Sequence, residues 1–102
     1  MTSSRFLLPA ALLAVFLGAT NGLTYTGEEL GNFATVSLAD ARTIALKTFP
    51  GKIKDEELEK EKGGSGLRYS FDIERGRVTH EIGVDAKTGK VLENSLEGPH
   101  SD

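Results

Sequence analysis

The sequence contains no cysteine, and this absence removes several kinds of site at once. Without cysteine the chain forms no disulfide, carries no lipid on a cysteine and builds no cysteine-based metal site. Histidine is scarce as well, since His80 and His100 are the only two. A zinc site normally takes three or four ligands from histidine, cysteine and carboxylates. We therefore expect no metal centre and no cofactor.

Motifs for catalysis are missing too. A nucleophilic site needs a base beside a serine or threonine, and His80 is the only plausible base. No G-x-S-x-G motif accompanies it, and its phase among apolar residues predicts a ring packed at the rim of the core with one nitrogen hydrogen-bonded. The glycine-rich run 63–66 precedes a strand and lacks the ending of a phosphate loop. Because the acidic residues fall on exposed faces and loops, we expect ordinary pKa values and no enzyme activity.

An apolar run long enough to be a typical membrane span is also missing. Residues 6–19 are almost wholly apolar, but a span usually needs about 20 such residues, and this run contains Pro9. Arg5 precedes it and small or polar residues follow, which is the order of a secretory signal peptide. A membrane anchor is the alternative. We expect residues 1–22 to be a signal peptide, and the mature protein to be periplasmic or secreted without stable membrane insertion.

Basic residues are fewer than acidic residues after the predicted signal peptide. Arg5 is one of 12 basic residues, so the remainder holds 11 of them against 15 acidic ones, a net charge near −4. This balance argues against nucleic acid and against an anionic membrane surface as partners. It suits a soluble protein with a basic partner.

The clearest element in the sequence is a helix that begins after Ser37. The Ser37 hydroxyl can accept a hydrogen bond from the backbone N–H of Asp40, at capping-box spacing. Apolar residues then recur at three- and four-residue steps to form one stripe: Leu38, Ala41, Ile44, Ala45 and Phe49. Pro50 and Gly51 end the helix, because proline cannot continue it.

After the helix the apolar period changes from 3.6 to 2, which predicts β-strands. The charged segment at the start of this region would also suit a helix, but residues 63–66 join it directly to the next strand, as a hairpin loop does. We expect four antiparallel strands over residues 56–62, 67–74, 78–85 and 90–94.

The predicted fold class is α+β, with one N-terminal helix packed on a four-stranded antiparallel meander and a signal-peptide helix before it. The apolar stripe of the helix would cover one sheet face. Val78 and Val91 would join the core beneath it, and Leu58 would lie at the core's margin. The other sheet face would be exposed to water.

Three stretches of the chain resemble a PepSY domain: SLADARTIALKTFPG (residues 37–51), GLRYSFDI (66–73) and HEIGVDAKTGKVLEN (80–94). VDAKTGKVL is the most specific of the matching sequences, supported by Pro50-Gly51 after the helix and by Glu57-Leu58-Glu59 on the first strand. PepSY domains are small modules of secreted metallopeptidase propeptides and of many exported bacterial proteins. The resemblance implies a module outside the cytoplasm, often proposed to restrain a protease. Since no peptidase follows in this sequence, we expect any inhibition to act in trans.

The domain organisation follows from these assignments. Residues 1–22 are the predicted signal peptide, 23–36 a lead-in linker, 37–94 the PepSY-like domain and 95–102 a disordered tail. Within the lead-in, residues 27–33 could make one helical turn.

An acidic surface is the remaining candidate for function. Seven side chains, mainly of one sign, are predicted to share the water-exposed sheet face: Glu57, Glu59, Glu61, Arg68, Asp72, Glu74 and Glu81. Such a surface could bind a basic protein or hold calcium loosely through carboxylate oxygens, although no D-x-D-x-D-G calcium loop is present. It could also do no more than keep the domain soluble.

We therefore predict an exported, non-catalytic binding module that contacts another exported protein, such as a peptidase. The alternative is a periplasmic module that binds a ligand or metal ion and has no protease target. We expect a monomer or a weak dimer, since so small a core would gain from pairing through an edge strand.

Overall fold

The computed structural model describes residues 25–97. The predicted signal peptide and the last five residues of the predicted tail lie outside this range. The described chain forms a 3₁₀ helix (Glu28–Phe33), helix α1 (Leu38–Thr48), and strands β1 (Lys52–Lys60), β2 (Leu67–Arg75), β3 (Val78–Asp85) and β4 (Val91–Leu96). The strands form one antiparallel sheet in the order β1-β2-β3-β4. The predicted α+β meander is confirmed.

Helix α1 begins and ends as the sequence predicts. The Ser37 hydroxyl accepts a hydrogen bond from the backbone N–H of Asp40 at 3.1 Å. At the other end, the Phe49 N–H donates to the Ala45 carbonyl, and the backbone then becomes extended ahead of Pro50. Ala41 and Ala45 are fully buried, so the small residues of the stripe let the helix approach the sheet closely.

The core lies between α1 and one face of the sheet. Its largest fully buried apolar side chains are Leu58, Tyr69, Phe71, Ile73, Ile82 and Val84. Leu58 is therefore central, and its predicted marginal position is wrong. Val78 and Val91 are 42% and 37% exposed, so their predicted burial is also wrong. Val78 begins β3 beside a tight turn and Val91 begins the edge strand, where each has few neighbours to cover it.

Strand β1 begins four residues earlier than predicted, at Lys52, and ends at Lys60. A register shift explains the missed start. Ile53 pairs with Ile73, but Asp55 pairs with Asp72, so Lys54 is an extra residue that breaks the alternation by which a strand is recognised.

Strand β4 extends to Leu96, two residues into the predicted tail. Ser95 pairs with Glu81, and the N–H of Glu97 donates to the Thr79 carbonyl at 2.9 Å. The predicted start of the tail at residue 95 is therefore wrong. Backbone pairing requires no apolar side chain, and for that reason a polar segment can complete a sheet.

The residues before α1 pack on the domain rather than forming a free linker. The 3₁₀ helix contacts β1, and Leu30 packs against the core. The N–H of Leu58 donates to the Thr26 carbonyl at 2.8 Å. Gly27 has a φ of 88°, and a β-carbon there would clash with the Leu58 carbonyl, so only glycine allows this close approach.

Candidate functional site

The face of the sheet away from α1, here called the open face, carries a groove of about 170 Å³. Seven polar residues from three strands and the end of the fourth line this acidic groove: Asp55, Glu57, Glu59, Ser70, Asp72, Glu81 and Glu97. Six of the seven are carboxylic acids.

The antiparallel register explains why the acids meet. Asp72 pairs with Asp55 on one side and with Glu81 on the other, so three carboxylates lie in a row across β1, β2 and β3. Neighbouring strands lie about 4.8 Å apart, which brings directly opposed side chains of one face together. Oxygens of Asp72, Glu81 and Glu97 lie within 4.8 Å of one another.

Four of the seven predicted site residues line the groove: Glu57, Glu59, Asp72 and Glu81. Glu61 follows the end of β1 and lies outside it, and Glu74 forms an ion pair with Lys54, whose Nζ is 3.8 Å from the carboxylate. That any of these residues contacts a partner stays a prediction.

Arg68, the predicted basic residue of this surface, is only 9% exposed. Its guanidinium donates to the Lys62 carbonyl at 2.9 Å and forms an ion pair with Glu93 at 3.3 Å. Its aliphatic carbons lie against Gly83, where a β-carbon would be 2.9 Å from Arg68 Cδ. The expectation that Arg68 is exposed to water is therefore wrong, because its side chain lies flat along the sheet.

Three further groove residues, Asp55, Ser70 and Glu97, were not predicted to belong to the site. Asp55 is the first residue of an acidic run in and just after β1 that consists of Asp55, Glu56, Glu57, Glu59 and Glu61. The bulge after Ile53 aligns Asp55 with Asp72. Ser70 donates its hydroxyl to Glu59 at 2.8 Å and so orients that carboxylate. Glu97 continues the every-second-residue pattern of Glu93 and Ser95, a signal visible in the sequence but too polar to indicate a strand.

The groove carries concentrated negative charge. Burial raises the pKa of Glu81, and the nearby charges of Glu93, Asp72 and Glu97 raise this pKa further. Burial also raises the pKa of Glu57, and Glu59 adds to the effect. The expectation of ordinary pKa values is therefore wrong for both residues. A positively charged group that entered the groove would relieve this repulsion.

Comparison with known families identifies the domain. The family model described as "Peptidase propeptide and YPEB domain" (PepSY) matches residues 35–94, more than half of the 102-residue chain. The chain belongs to the PepSY family. No curated protein and no solved structure matches the chain.

PepSY domains are generally non-catalytic, propeptide-like or inhibitor-like modules that are associated with peptidases and occur in exported proteins. The matched range contains six of the seven groove residues, and only Glu97 lies beyond it. Within residues 25–97, no helix has the length and apolar character needed to cross a membrane.

Asp85 is a buried carboxylate of this PepSY domain that lies outside the groove. Asp85 is 1% exposed and accepts hydrogen bonds from the N–H and hydroxyl of Ser65 and from the N–H groups of Lys87 and Thr88, at 2.6–3.1 Å. Burial by itself would raise the pKa of Asp85, but these bonds outweigh it and lower the pKa to about 2. The ordinary pKa predicted for this residue is wrong, because the loops next to the end of β3 fold around its side chain.

His80 has the packed position predicted for it. Its ring stacks on Phe49 with the centroids 4.0 Å apart and the planes at 5°. Nδ1 forms a hydrogen bond with Asn94 Oδ1 at 2.7 Å. These contacts account for the residue without a catalytic role.

Proposed function

We propose that this PepSY domain acts after export, in the periplasm or outside the cell, as a non-catalytic module that restrains an exported peptidase. The acidic groove is the proposed contact surface, and basic side chains of the peptidase are the proposed ligands. The observation that carries the proposal is the row of carboxylates Asp55, Asp72 and Glu81 across three strands of an open sheet face.

The electrostatics of the groove favour a basic group over a neutral one. The raised pKa values of Glu57 and Glu81 show that their charged forms lack sufficient compensation in the isolated domain. Lysine or arginine donors would supply charge-assisted hydrogen bonds, which are about twice as strong as neutral ones. Complementary charge would also speed the encounter of the two proteins.

A module that binds a divalent cation is the competing function. It is favoured by the close approach of oxygens from Asp72, Glu81 and Glu97. Calcium, however, takes six to eight oxygen ligands, and three carboxylates on an open face supply only part of such a shell. A rise in melting temperature on adding calcium to the domain, without any protein partner, would support this function instead.

Affinity capture tests the proposed contact. The bait is the mature chain, residues 23–102, in an envelope extract at low salt, where weak ionic contacts survive. A variant with Glu57→Lys, Glu59→Lys and Asp72→Lys, here called the groove variant, reverses the charge of three side chains that line the groove. Glu61→Lys is the matched control, because Glu61 belongs to the same acidic run but lies outside the groove.

We expect the wild type and the Glu61→Lys control to enrich a peptidase whose purified activity falls when the domain is added. The groove variant should capture much less of it, while its far-UV spectrum stays that of the wild type. Equal capture by the groove variant and the wild type would exclude the groove as the contact surface. The absence of any peptidase among the captured proteins would contradict the proposed partner.

A further inference from the structure

The two edges of the sheet differ in their protection. Strand β1 has its outer edge partly covered, because Thr26 bridges to Glu57 and accepts the hydrogen bond of the Leu58 N–H. It also carries a bulge at Lys54 and many charges. Bulges, charges and covering segments are the devices by which natural sheets prevent pairing with other chains.

Strand β4 has fewer of these devices along its second half. Among residues 25–97, no strand lies on its outer side. Its one irregularity, the extra residue Leu92, lies at its beginning, and residues 93–96 pair regularly with β3. Residues 93–96 contain no lysine and no proline, and Leu96 is 65% exposed.

The hydrogen bonds of β4 show which backbone groups point outward. The N–H of Glu97 donates to the Thr79 carbonyl. Extending the register by one residue beyond the His80–Leu96 pair places Thr79 opposite Glu97, so Glu97 occupies a hydrogen-bonded position. In an antiparallel ladder such pairs alternate along the strand, so Ser95 and Glu93 also direct their backbone groups toward β3. Asn94 and Leu96 therefore direct two N–H and two C=O groups away from the sheet.

The side chains of β4 divide between the two faces of the sheet. Glu97 lines the acidic groove, and Glu93 binds Arg68 on the same open face. Leu96, which pairs with His80, lies on the face that carries the helix. A strand added beside β4 would alternate in the same way. Its side chains on the open face would meet acids, and those on the helix side would cover Leu96.

We propose that β4 is a strand-addition site for an extended segment of the partner in which basic and apolar residues alternate. Main-chain hydrogen bonds to Asn94 and Leu96 would supply the pairing, while the acids and Leu96 would select the sequence. The inference rests on the proposed function for the nature of the partner. The mode of binding is separate from it and can be tested without a peptidase.

The probe is a synthetic peptide, Lys-Val-Arg-Val-Lys-Val with blocked ends, added to the ¹⁵N-labelled mature chain, residues 23–102. One control peptide has the same composition in block order, Lys-Arg-Lys-Val-Val-Val. Another has the alternating sequence with N-methylated valines, so that one edge of its backbone cannot donate. We expect the alternating peptide alone to shift the amides of Asn94 and Leu96 and to protect them from hydrogen exchange.

Variants of the domain give a second readout. Leu96→Lys should weaken binding of the alternating peptide on the order of tenfold, because it removes apolar contact and adds like charge. Phe33→Lys is the control, since Phe33 is 63% exposed and lies on the 3₁₀ helix rather than on β4. The control variant should bind as the wild type does.

Two results would overturn the inference. Equal binding of all three peptides, with shifts confined to the acidic groove, would show electrostatic binding without strand addition, and the proposed function would stand. Protection of the Asn94 and Leu96 amides that depends on protein concentration without peptide would show that a second copy of the domain pairs with β4 instead.

Discussion

At the scale of single residues, Asp85 has the most defined role in the structure. Its carboxylate joins Ser65 of the β1–β2 loop to Lys87 and Thr88 of the β3–β4 loop. Each bond to a charged acceptor in a buried place is stronger than a neutral one. One side chain therefore holds together two loops at the same end of the sheet.

Asp85→Asn should destabilise the domain. The amide group would replace the oxygen that accepts the Ser65 N–H, leaving two donors facing each other, and such a loss costs about 1–3 kcal/mol. Urea denaturation measures the free energy of unfolding. Glu61→Gln, at an exposed position, is the control and should change it little. Equal stability of Asp85→Asn and wild type would show that the loops hold without the carboxylate.

The pH dependence of stability provides a separate test of Asp85. Because the folded-state pKa of about 2 lies below the unfolded value of 3.8, the carboxylate stabilises the fold above pH 3.8. This stabilisation, about 2 kcal/mol, is lost as the pH falls from 3.8 toward 2. The difference between wild type and Asp85→Asn should shrink over that range. A difference that does not change with pH would contradict the lowered pKa.

Glu81 should change the stability of the fold with pH in the direction opposite to that of Asp85. Its folded-state pKa is raised, so the folded protein holds the proton more tightly, and the free energy of unfolding falls as the pH rises above 4.5. Glu81→Gln should therefore raise the melting temperature at pH 7 by about 2–5 °C and give no gain below pH 4.5. The gain should diminish in 1 M NaCl, which screens the neighbouring carboxylates. A lower melting temperature at pH 7 would contradict the proposed repulsion.

At the scale of elements, the segment before α1 is part of the folded unit. It covers one edge of β1 through the bond between Thr26 and Leu58, and the N–H groups of Thr35 and Val36 both donate to the Ala86 carbonyl. The family match begins at residue 35, so this contact with β1 lies outside the matched region.

A pair of glycine substitutions measures how much this contact contributes. Gly27 and Gly66 have nearly the same positive φ, 88° and 93°, but a β-carbon at Gly27 would meet the Leu58 carbonyl, whereas one at Gly66 would meet nothing within 4 Å. Gly66→Ala should cost only the backbone strain, about 1 kcal/mol, and Gly27→Ala about 1–3 kcal/mol more. Equal losses of unfolding free energy for the two variants, measured by urea denaturation, would mean that the segment before α1 detaches from β1 at little cost.

At the scale of the whole molecule, the small core and the absence of cysteine leave packing and backbone pairing to hold the fold. On the open face, burial and then the charges of neighbouring carboxylates raise the pKa of Glu57 and of Glu81, so these two groups oppose folding when they are ionised. This concentration of acid on one face is the basis on which we connect the groove with partner binding.

The salt dependence of binding tests this connection. Binding of a basic partner through the groove should weaken several-fold between 50 and 500 mM NaCl, because the Debye length falls below the distances between exposed charges. Titration calorimetry with the alternating peptide measures how its affinity changes with NaCl concentration. In the double variant Glu57→Lys, Glu59→Lys the affinity should change less with salt. An affinity that is unchanged by salt would point to apolar contact alone.

Local patterns were sufficient to predict several elements. Ser37 and Pro50 delimit α1, and the alternation of β2 and β3 holds within one or two residues of the observed bounds. The placement of Glu57, Glu59, Asp72 and Glu81 on one face also followed from alternation, and the structure brings these four into one groove. The bulge at Lys54 and the polar end of β4 escaped prediction, because neither has an apolar period.

The sequence by itself determined the capped helix, the two central strands and the excess of acid on one sheet face, since each depends on residues within a few positions of one another. The tertiary structure alone decided that Asp55 and Glu97 join the groove, that Arg68 is buried and that Asp85 joins two loops. These outcomes depend on register and on contacts between distant residues, such as Ser65 and Asp85, 20 positions apart. Such contacts have no local pattern, because the whole sheet must form before the partners meet.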